Sequence, residues 1–418
     1  VVIGKVVEGD RLKIVHNGVT EADLPVLALT DEVPKYERPM AKPSSELGVQ
    51  SSGSVEAPER ATLDPEHALK RLLASPNICS KHWVYEQYDT MVRTNTIILP
   101  GADAAVIRIK ETRRAIAMCH DGNGKFAGID PRMGAKLAVA EAARNVACVG
   151  AKPIAVTNCL NFASPERPEV MWSFSEVIDG MTEACEAFET PVVSGNVSFY
   201  NETDGKGILP TPVIGMVGLI EDTRKIITHG FKKEGDLIAV LGETRNDLAA
   251  SEYAQTVVGL STTQLIGNGE VPAVDLTVEK QLQTTLLALI DQCLIRSAHD
   301  CSDGGLAVTI AECCFSSLGR PAVGAEIGLD SSRLLNEALL FGETPSRVVI
   351  SFDPAKLDAV HAIVGDHPFA LIGRVIKDKL SISVDGQPVI ESEIDELETV
   401  WKASLETSLD GRKIAAGH

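Results

Sequence analysis

Pro191-Val192-Val193-Ser194-Gly195-Asn196-Val197-Ser198-Phe199-Tyr200-Asn201-Glu202 is the stretch from which the rest of this chain is read. Two β-branched residues after a proline read as the end of a buried strand, which then runs into a small polar turn of Ser, Gly, Asn and Ser. Gly195 lets a ligand approach the backbone, and Asn196 and Ser198 offer neutral oxygens and donors. That chemistry suits phosphate oxygens and a hard cation such as Mg²⁺. The tetrapeptide alone reads equally as an Asn-Gly-type turn closing a hairpin. Its surroundings decide between the two.

Those surroundings alternate strand and helix. Ala104 to Ile109 and Ala115 to Met118 read as strands, and Met133 to Val149 as a small-residue helix able to pack tightly on a sheet. Val170, Phe174, Val177, Ile178, Met181, Cys185 and Phe188 fall on one helical face. Strands follow at Pro191 to Val193 and Val213 to Leu219. A second unit opens with the buried-strand pattern Leu237 to Leu241, continues through the helical stripe Val278 to Cys293, and ends in a hairpin. The fold class is therefore α+β (α/β-like), with two domains of similar size, expected at 63–224 and 225–405.

The start of the chain echoes its end. Val2-Ile3-Gly4-Lys5-Val6, then Leu12-Lys13-Ile14-Val15 and Gly18, match Leu371-Ile372-Gly373-Arg374-Val375, then Leu380-Ser381-Ile382-Ser383 and Gly386. Both read as strand, turn, strand. Residues 1–32 are thus expected to be the last hairpin of a preceding, duplicated domain. The sequence begins at Val1, with its first Met at Met40, which fits an interior start. Residues 33–62, rich in Pro, Ser, Glu and Gly, read as a linker. Structure is expected to resume at Asp64, placed to cap a helix whose first residue is Pro65.

Composition narrows the function. A chain of 418 residues with a net charge of −19 lacks the basic surface that nucleic acid or an anionic membrane requires. A phosphorylated substrate would need local help from Mg²⁺, backbone N–H groups or a few placed basic residues. The nine cysteines show no metal-type spacing, and Cys313-Cys314 are neighbours on one helix, so buried free thiols in a reducing cytoplasm are expected. No run is apolar enough for a membrane span.

Three further loops carry ligand-type residues. Thr157-Asn158-Cys159-Leu160-Asn161-Phe162 follows an apolar run and sets amides where open sheets place ligands, although Asn also caps turns. His299-Asp300-Cys301-Ser302-Asp303-Gly304-Gly305-Leu306 opens a helix. There Ser302 or Asp303 serves as a cap, while Asp300 is free to meet a metal ion and His299 reads as structural. In Phe341-Gly342-Glu343-Thr344-Pro345-Ser346-Arg347, Glu343 and Arg347 either orient a polar ligand or form a surface ion pair. No Walker A loop, dinucleotide fingerprint or nucleophile elbow is present.

Taken in order, these segments resemble the synthetase component of the phosphoribosylformylglycinamidine synthase family. The resemblance also rests on Ser75-Pro76-Asn77-Ile78, Tyr88 to Arg93, Pro100 to Ala105, Gly150-Ala151-Lys152-Pro153 and Pro210 to Gly215, so it spans nearly the whole chain. It implies the fold of aminoimidazole ribonucleotide synthetase, with its N-terminal and C-terminal types of domain, internally duplicated. This chain corresponds to the C-terminal half plus the last hairpin of the first.

The resemblance further implies an ATP-dependent ligase of purine biosynthesis. Formylglycinamide ribonucleotide, ATP and glutamine-derived ammonia give formylglycinamidine ribonucleotide, ADP and phosphate. Carried over residue by residue, Gly195 and Asn158 would contact ATP, Asn196 would hold Mg²⁺ and Ser198 would touch the ribonucleotide. Asp300 is a further candidate metal ligand. Position 158, commonly Asp in the family, is Asn here, which removes a charge. The family's catalytic Glu-Ser-His-Asn-His run corresponds to His120-Asp121-Gly122-Asn123-Gly124, so the catalytic His is expected in a missing N-terminal half. A separate glutaminase subunit and a small accessory subunit are the implied partners. The alternative reading is a structural half that holds a nucleotide around Asp300, Gly242 and Glu343 and docks those partners.

Overall fold

The computed structural model describes residues 1–43, 64–331 and 334–409. The chain opens with β1 (Arg11–His16), β2 (Val19–Pro25) and the short α1 (Leu27–Thr30). After α2 (Pro65–Leu73) and α3 (His82–Tyr85) come β3 (Thr96–Ile98), β4 (Ala105–Arg108), β5 (Ala115–Asp121), α4 (Gly124–Ile129) and α5 (Pro131–Cys148). Then follow β6 (Lys152–Asn161), α6 (Pro168–Phe188), β7 (Val192–Ser198), β8 (Glu202–Thr203), β9 (Lys206–Gly207) and β10 (Thr211–Ile220). The order β3-β4-β5-β10-β6-β7 makes one six-stranded sheet.

The second half runs β11 (Leu237–Leu241), α7 (Thr262–Asn268), α8 (Leu276–Asp291), β12 (Ser297–Asp300), α9 (Gly305–Cys314), β13 (Gly324–Leu329) and α10 (Asn336–Phe341). It closes with β14 (Val348–Phe352), α11 (Leu357–Val364), β15 (Phe369–Ile376), β16 (Lys379–Val384), β17 (Gln387–Glu393) and α12 (Ile394–Leu409). Its seven-stranded sheet has the order β12-β14-β11-β15-β13-β16-β17.

Local chemistry explains the helices that set the site. Asp130 caps α5, its carboxylate accepting from Met133 N at 2.9 Å, with Pro131 in the first turn. The alanines of α5 are buried, which seats the helix close against the first sheet and against α6. Helix α6 ends on Glu189 in a left-handed conformation, φ 59°. As expected, Asp64 caps α2, accepting from His67 N at 3.2 Å. Helix α2 nevertheless lies beyond the anticipated boundary. Ala68, Leu69, Leu72 and Leu73 pack into the second core beside Phe231 and Phe341.

Two expectations need correction. The polar run Ser194 to Ser198 is no turn: β7 stays extended through Ser198, and β6 likewise runs through Asn161. Nor is β7 buried. It forms an edge of the sheet, and Val192 to Val197 are all exposed. Pairing with β6 overrides the low strand propensity of Gly and Asn, because a parallel partner on one side satisfies the backbone.

The terminal echo is real in register. Ile14 pairs with Ala22 and Val15 with Thr20, with a slip between them; Ile382 pairs with Ile390 and Ser383 with Pro388, with the same slip. A constant offset of 368 residues relates the two hairpins. Both turns place an Asx residue and then Gly at positive φ: Asn17 (50°) and Gly18 (81°), Asp385 (50°) and Gly386 (76°). Val2 to Val6, expected as a strand, is not one. Its counterpart Leu371 to Val375 lies in β15, between β11 and β13, and Val2 to Val6 has no such neighbours. Of the linker expected at 33–62, residues 44–62 lie outside the described residues. Among the described residues, no helix is long and apolar enough to cross a membrane.

Candidate functional site

Strands β6 and β7 are the parallel pair of the first sheet, and the two polar segments singled out in the sequence meet there. Asn158 lies beside Gly195, Cys159 beside Asn196, and Asn161 beside Ser198. Side chains alternate between faces, so Asn158 and Gly195 share one face while Asn196 and Ser198 share the other with Cys159 and Asn161. A Cβ on Gly195 would run into Asn158 Oδ1, so the glycine leaves room for its neighbour's amide. Asn196 is exposed, its Nδ2 only 3.9 Å from the Cys159 thiol. Ser198 Oγ lies 3.2 Å from Asn201 Oδ1. Glu202 accepts from Ser164 N and pairs with Arg167, tying the next turn to the start of α6.

This arrangement offers neutral oxygens and amides on an open edge at the carboxyl ends of two parallel strands. Open sheets bind ligands at that location. The exposed Asn196 amide oxygen suits Mg²⁺ that takes its remaining ligands from phosphate and water. Among the described residues, no group of three or more His, Cys, Asp or Glu side chains could hold a metal by itself.

Asp300 lies elsewhere, at the seam between the two sheets. It is buried, and its Oδ1 is taken by the Arg144 guanidinium, which also reaches Glu279 Oε2 at 2.8 Å. Asp300 Oδ2 is buried without a partner. Desolvation raises the Asp300 pKa, with Arg144 pulling against it. Arg144, 1% exposed, sits in a run of alanines on α5. A lone arginine there is the one sequence signal for this cluster, and the reading from sequence missed it.

Glu343 and Arg347 form neither a ligand clamp nor a surface pair. Glu343 Oε1 accepts from Glu252 N at 2.7 Å and Gly304 N at 2.9 Å, pinning the loop that starts α9. Desolvation and the Asp303 carboxylate push its pKa up to about 8. Arg347, fully buried, donates to Thr344 O, Gly342 O and Thr244 Oγ1. Nearby, Glu252 binds Lys125 at 2.8 Å, Ser75 and Asn77; despite burial, these partners hold its pKa down at about 2.

A cavity of about 980 Å³ also opens on the seam, lined in part by Tyr85, Asp103, His229, His299, Arg320 and Trp401. It does not include Asn158, Gly195, Asn196 or Ser198. His299 bridges Asp103 (2.9 Å) and Glu312 (3.2 Å), which keep it protonated against burial. Its structural reading is thereby explained. Burial and that neighbouring cation push His229 down to about 3. Gly122, where the resemblance sets a histidine in other members, has no room for a side chain: a Cβ would stand 2.6 Å from Pro212 O.

The family described as AIR synthase related protein, N-terminal domain, matches residues 101–220, and its C-terminal domain matches residues 233–385. The chain is 42% identical over 417 residues to the phosphoribosylformylglycinamidine synthase subunit PurL of Alkaliphilus metalliredigens, covering 99% of this chain and 55% of the relative. It is 43% identical to PurL of Caldanaerobacter subterraneus, covering 98% and 54%. The chain thus spans about half the length of the curated relatives it matches. A solved structure described as T. maritima PurL complexed with FGAR shares the fold, with a TM-score of 0.65 at 18% identity over 80% of this chain and 53% of that one.

Proposed function

The chain belongs to the family of AIR synthase related proteins, and from that premise we propose that it supplies one wall of the nucleotide and substrate cleft of an ATP-dependent carbon–nitrogen ligase. The reaction is that of the PurL-named relatives: formylglycinamide ribonucleotide, ATP and ammonia to formylglycinamidine ribonucleotide, ADP and phosphate. ATP phosphorylates the formamide oxygen, and ammonia displaces the phosphate. In such chemistry catalysis is mostly positioning and charge neutralisation.

One observation carries the reading. The Asn158 and Asn196 segments, far apart in sequence, meet side by side at the carboxyl ends of a parallel strand pair. Asn158 and Gly195 would lie against ATP from one face of the pair; Asn196, which would hold Mg²⁺ through its amide oxygen, and Ser198, which would meet the ribonucleotide, are on the other, so the phosphates would reach around the open edge strand. Mg²⁺ supplies neutralisation of the phosphate charge. The general base belongs to the preceding half of the polypeptide, which the blocked position at Gly122 supports. A glutaminase subunit delivers the ammonia, and a small accessory subunit completes the complex; a neighbouring solved structure described as PurLQS is consistent with such an assembly. Replacing Asn196→Ala in the full-length protein should raise the KM for Mg-ATP about tenfold or more, as expected for losing a contact to a charged group. Unchanged ATP dependence in steady-state kinetics would remove the assignment.

A second reading is supported by the open surfaces, although the seam cavity is lined by none of Asp300, Gly242 and Glu343, around which that reading sets its nucleotide. This half would hold a nucleotide without turnover and dock the rest of the complex. The exposed Val193 and Val197 of β7 and Leu12 and Ile14 of β1 support it, since such apolar surface is normally covered. Chromatography of the denatured full-length protein checks it: ADP released in unit amount favours this role.

A further inference from the structure

Just past Ser198, the last residue of β7, stands a residue given no role so far. Asn201 Nδ2 lies 3.0 Å from Phe162 O and 2.9 Å from Ser198 O. Its backbone N–H donates to Phe162 O at 3.2 Å, while Phe162 N–H donates to Ser198 O at 2.9 Å. These bonds close a ring between the ends of β6 and β7. Tyr200, at φ 61°, turns the corner that brings Asn201 back, and its N–H donates to Ala163 O at 3.1 Å. A non-glycine residue at that φ is held there by surrounding bonds.

Proton accounting then bears on the Ser198 hydroxyl. A carboxamide NH₂ has two protons, and the two carbonyl oxygens take both. The same two contacts fix which way the amide faces. Asn201 Nδ2 also lies 3.1 Å from Ser198 Oγ, but no proton remains for that contact. The hydroxyl has Asn201 Oδ1 as an acceptor, at a long 3.2 Å. That leaves the lone pairs of the half-buried Ser198 oxygen without a donor from Asn201.

We propose that Asn201 is a positioning residue that holds the Ser198 hydroxyl as a hydrogen-bond acceptor, so that the substrate group meeting Ser198 is a donor, a hydroxyl or an N–H, and not an ionised phosphate oxygen. This rests on the assignment of Ser198 to substrate binding made above. The family resemblance implies a contact at Ser198 without its polarity, and it gives Asn201 no role.

The test uses the full-length polypeptide with ammonium as nitrogen donor, varying the ribonucleotide and ATP in turn. Ser198→Ala should raise the KM for the ribonucleotide about tenfold, the loss of one net hydrogen bond, and Asn201→Ala should approach the same value. The double variant should be no worse than Ser198→Ala, because both act through one contact. The KM for ATP should stay within about twofold in each, and competitive inhibition by inorganic phosphate should be unaltered.

Several outcomes overturn the inference. These are a KM raised by Ser198→Ala and unmoved by Asn201→Ala, two effects that multiply, or a weaker inhibition by phosphate in Ser198→Ala, which would show that the hydroxyl donates. If Ser198→Ala changes nothing, the functional assignment of Ser198 fails instead, which separates the two failures. If Asn201→Ala does not fold, Asn201→Ser retains a donor for Phe162 O and carries the same comparison.

Discussion

The edge of the first sheet and the seam between the sheets carry polar residues that look alike in sequence and behave oppositely in the fold. At the edge, Asn158, Gly195, Asn196 and Ser198 are neutral and lie on a strand pair that is open on its outer side. At the seam, Asp300, Glu279 and Arg144 form a buried ion cluster, and Glu343, whose pKa is pushed up to about 8, is buried beside backbone amides that it accepts from. Buried charge of this kind is committed to holding domains in place, because each partner's desolvation must be offset locally. Neutral donors on an exposed edge cost little to leave open to solvent and so remain available to a ligand. Substitutions should therefore separate the two regions: stability at the seam, catalysis at the edge.

The largest separation is expected from Arg144. Arg144→Met would leave the buried carboxylates of Asp300 and Glu279 unpaired, at a cost of about 3–5 kcal/mol in urea unfolding. Asn196→Ala, on the exposed edge, should stay within about 0.5 kcal/mol of the parent while impairing ATP use. Equal destabilisation by the two would erase the distinction. Gly195 sharpens it from the other side. Gly195→Ala sets a Cβ against Asn158 Oδ1, the end of a half-exposed side chain that can rotate away, so it should cost only about 0.5 kcal/mol. Removing the obstacle with Asn158→Gly in the same chain should recover most of that loss, which a double-variant unfolding cycle measures.

The contrast also marks what sequence could and could not reveal. Helices α5, α6 and α8 were legible because apolar spacing or small-residue runs belong to single segments. The hairpin echo was legible because Asn17-Gly18 and Asp385-Gly386 carry their turn geometry locally, and register follows from the turn. Burial of those hairpins was not legible: Leu380 and Ile382 are fully buried while Leu12 and Ile14 are exposed, since burial depends on what lies over a strand. The ligand segments were found by composition, but their extended conformation was not, because it comes from pairing between residues about 37 apart in sequence. The Arg144–Asp300 bridge joins two domains across 156 residues, and no local pattern announces such a contact.

A small effect is also the sharpest check on the seam. Glu343 has its pKa raised from an ordinary 4.5 to about 8, by desolvation first and then by Asp303. Between those two values the native state retains a proton that the unfolded chain releases, so this group lowers stability progressively as pH rises from about 4.5 to about 8. Glu343→Gln removes the titration while keeping an oxygen to accept from Glu252 N and Gly304 N. Relative to the parent, the variant should gain on the order of 1 kcal/mol between pH 5 and pH 8, less than the full linkage because Asp303 shares the proton. Unfolding curves for parent and variant that stay parallel across that range would mean Glu343 is ionised in the native protein. In that case the seam would hold an additional buried negative charge, and its contrast with the neutral edge would be sharper still.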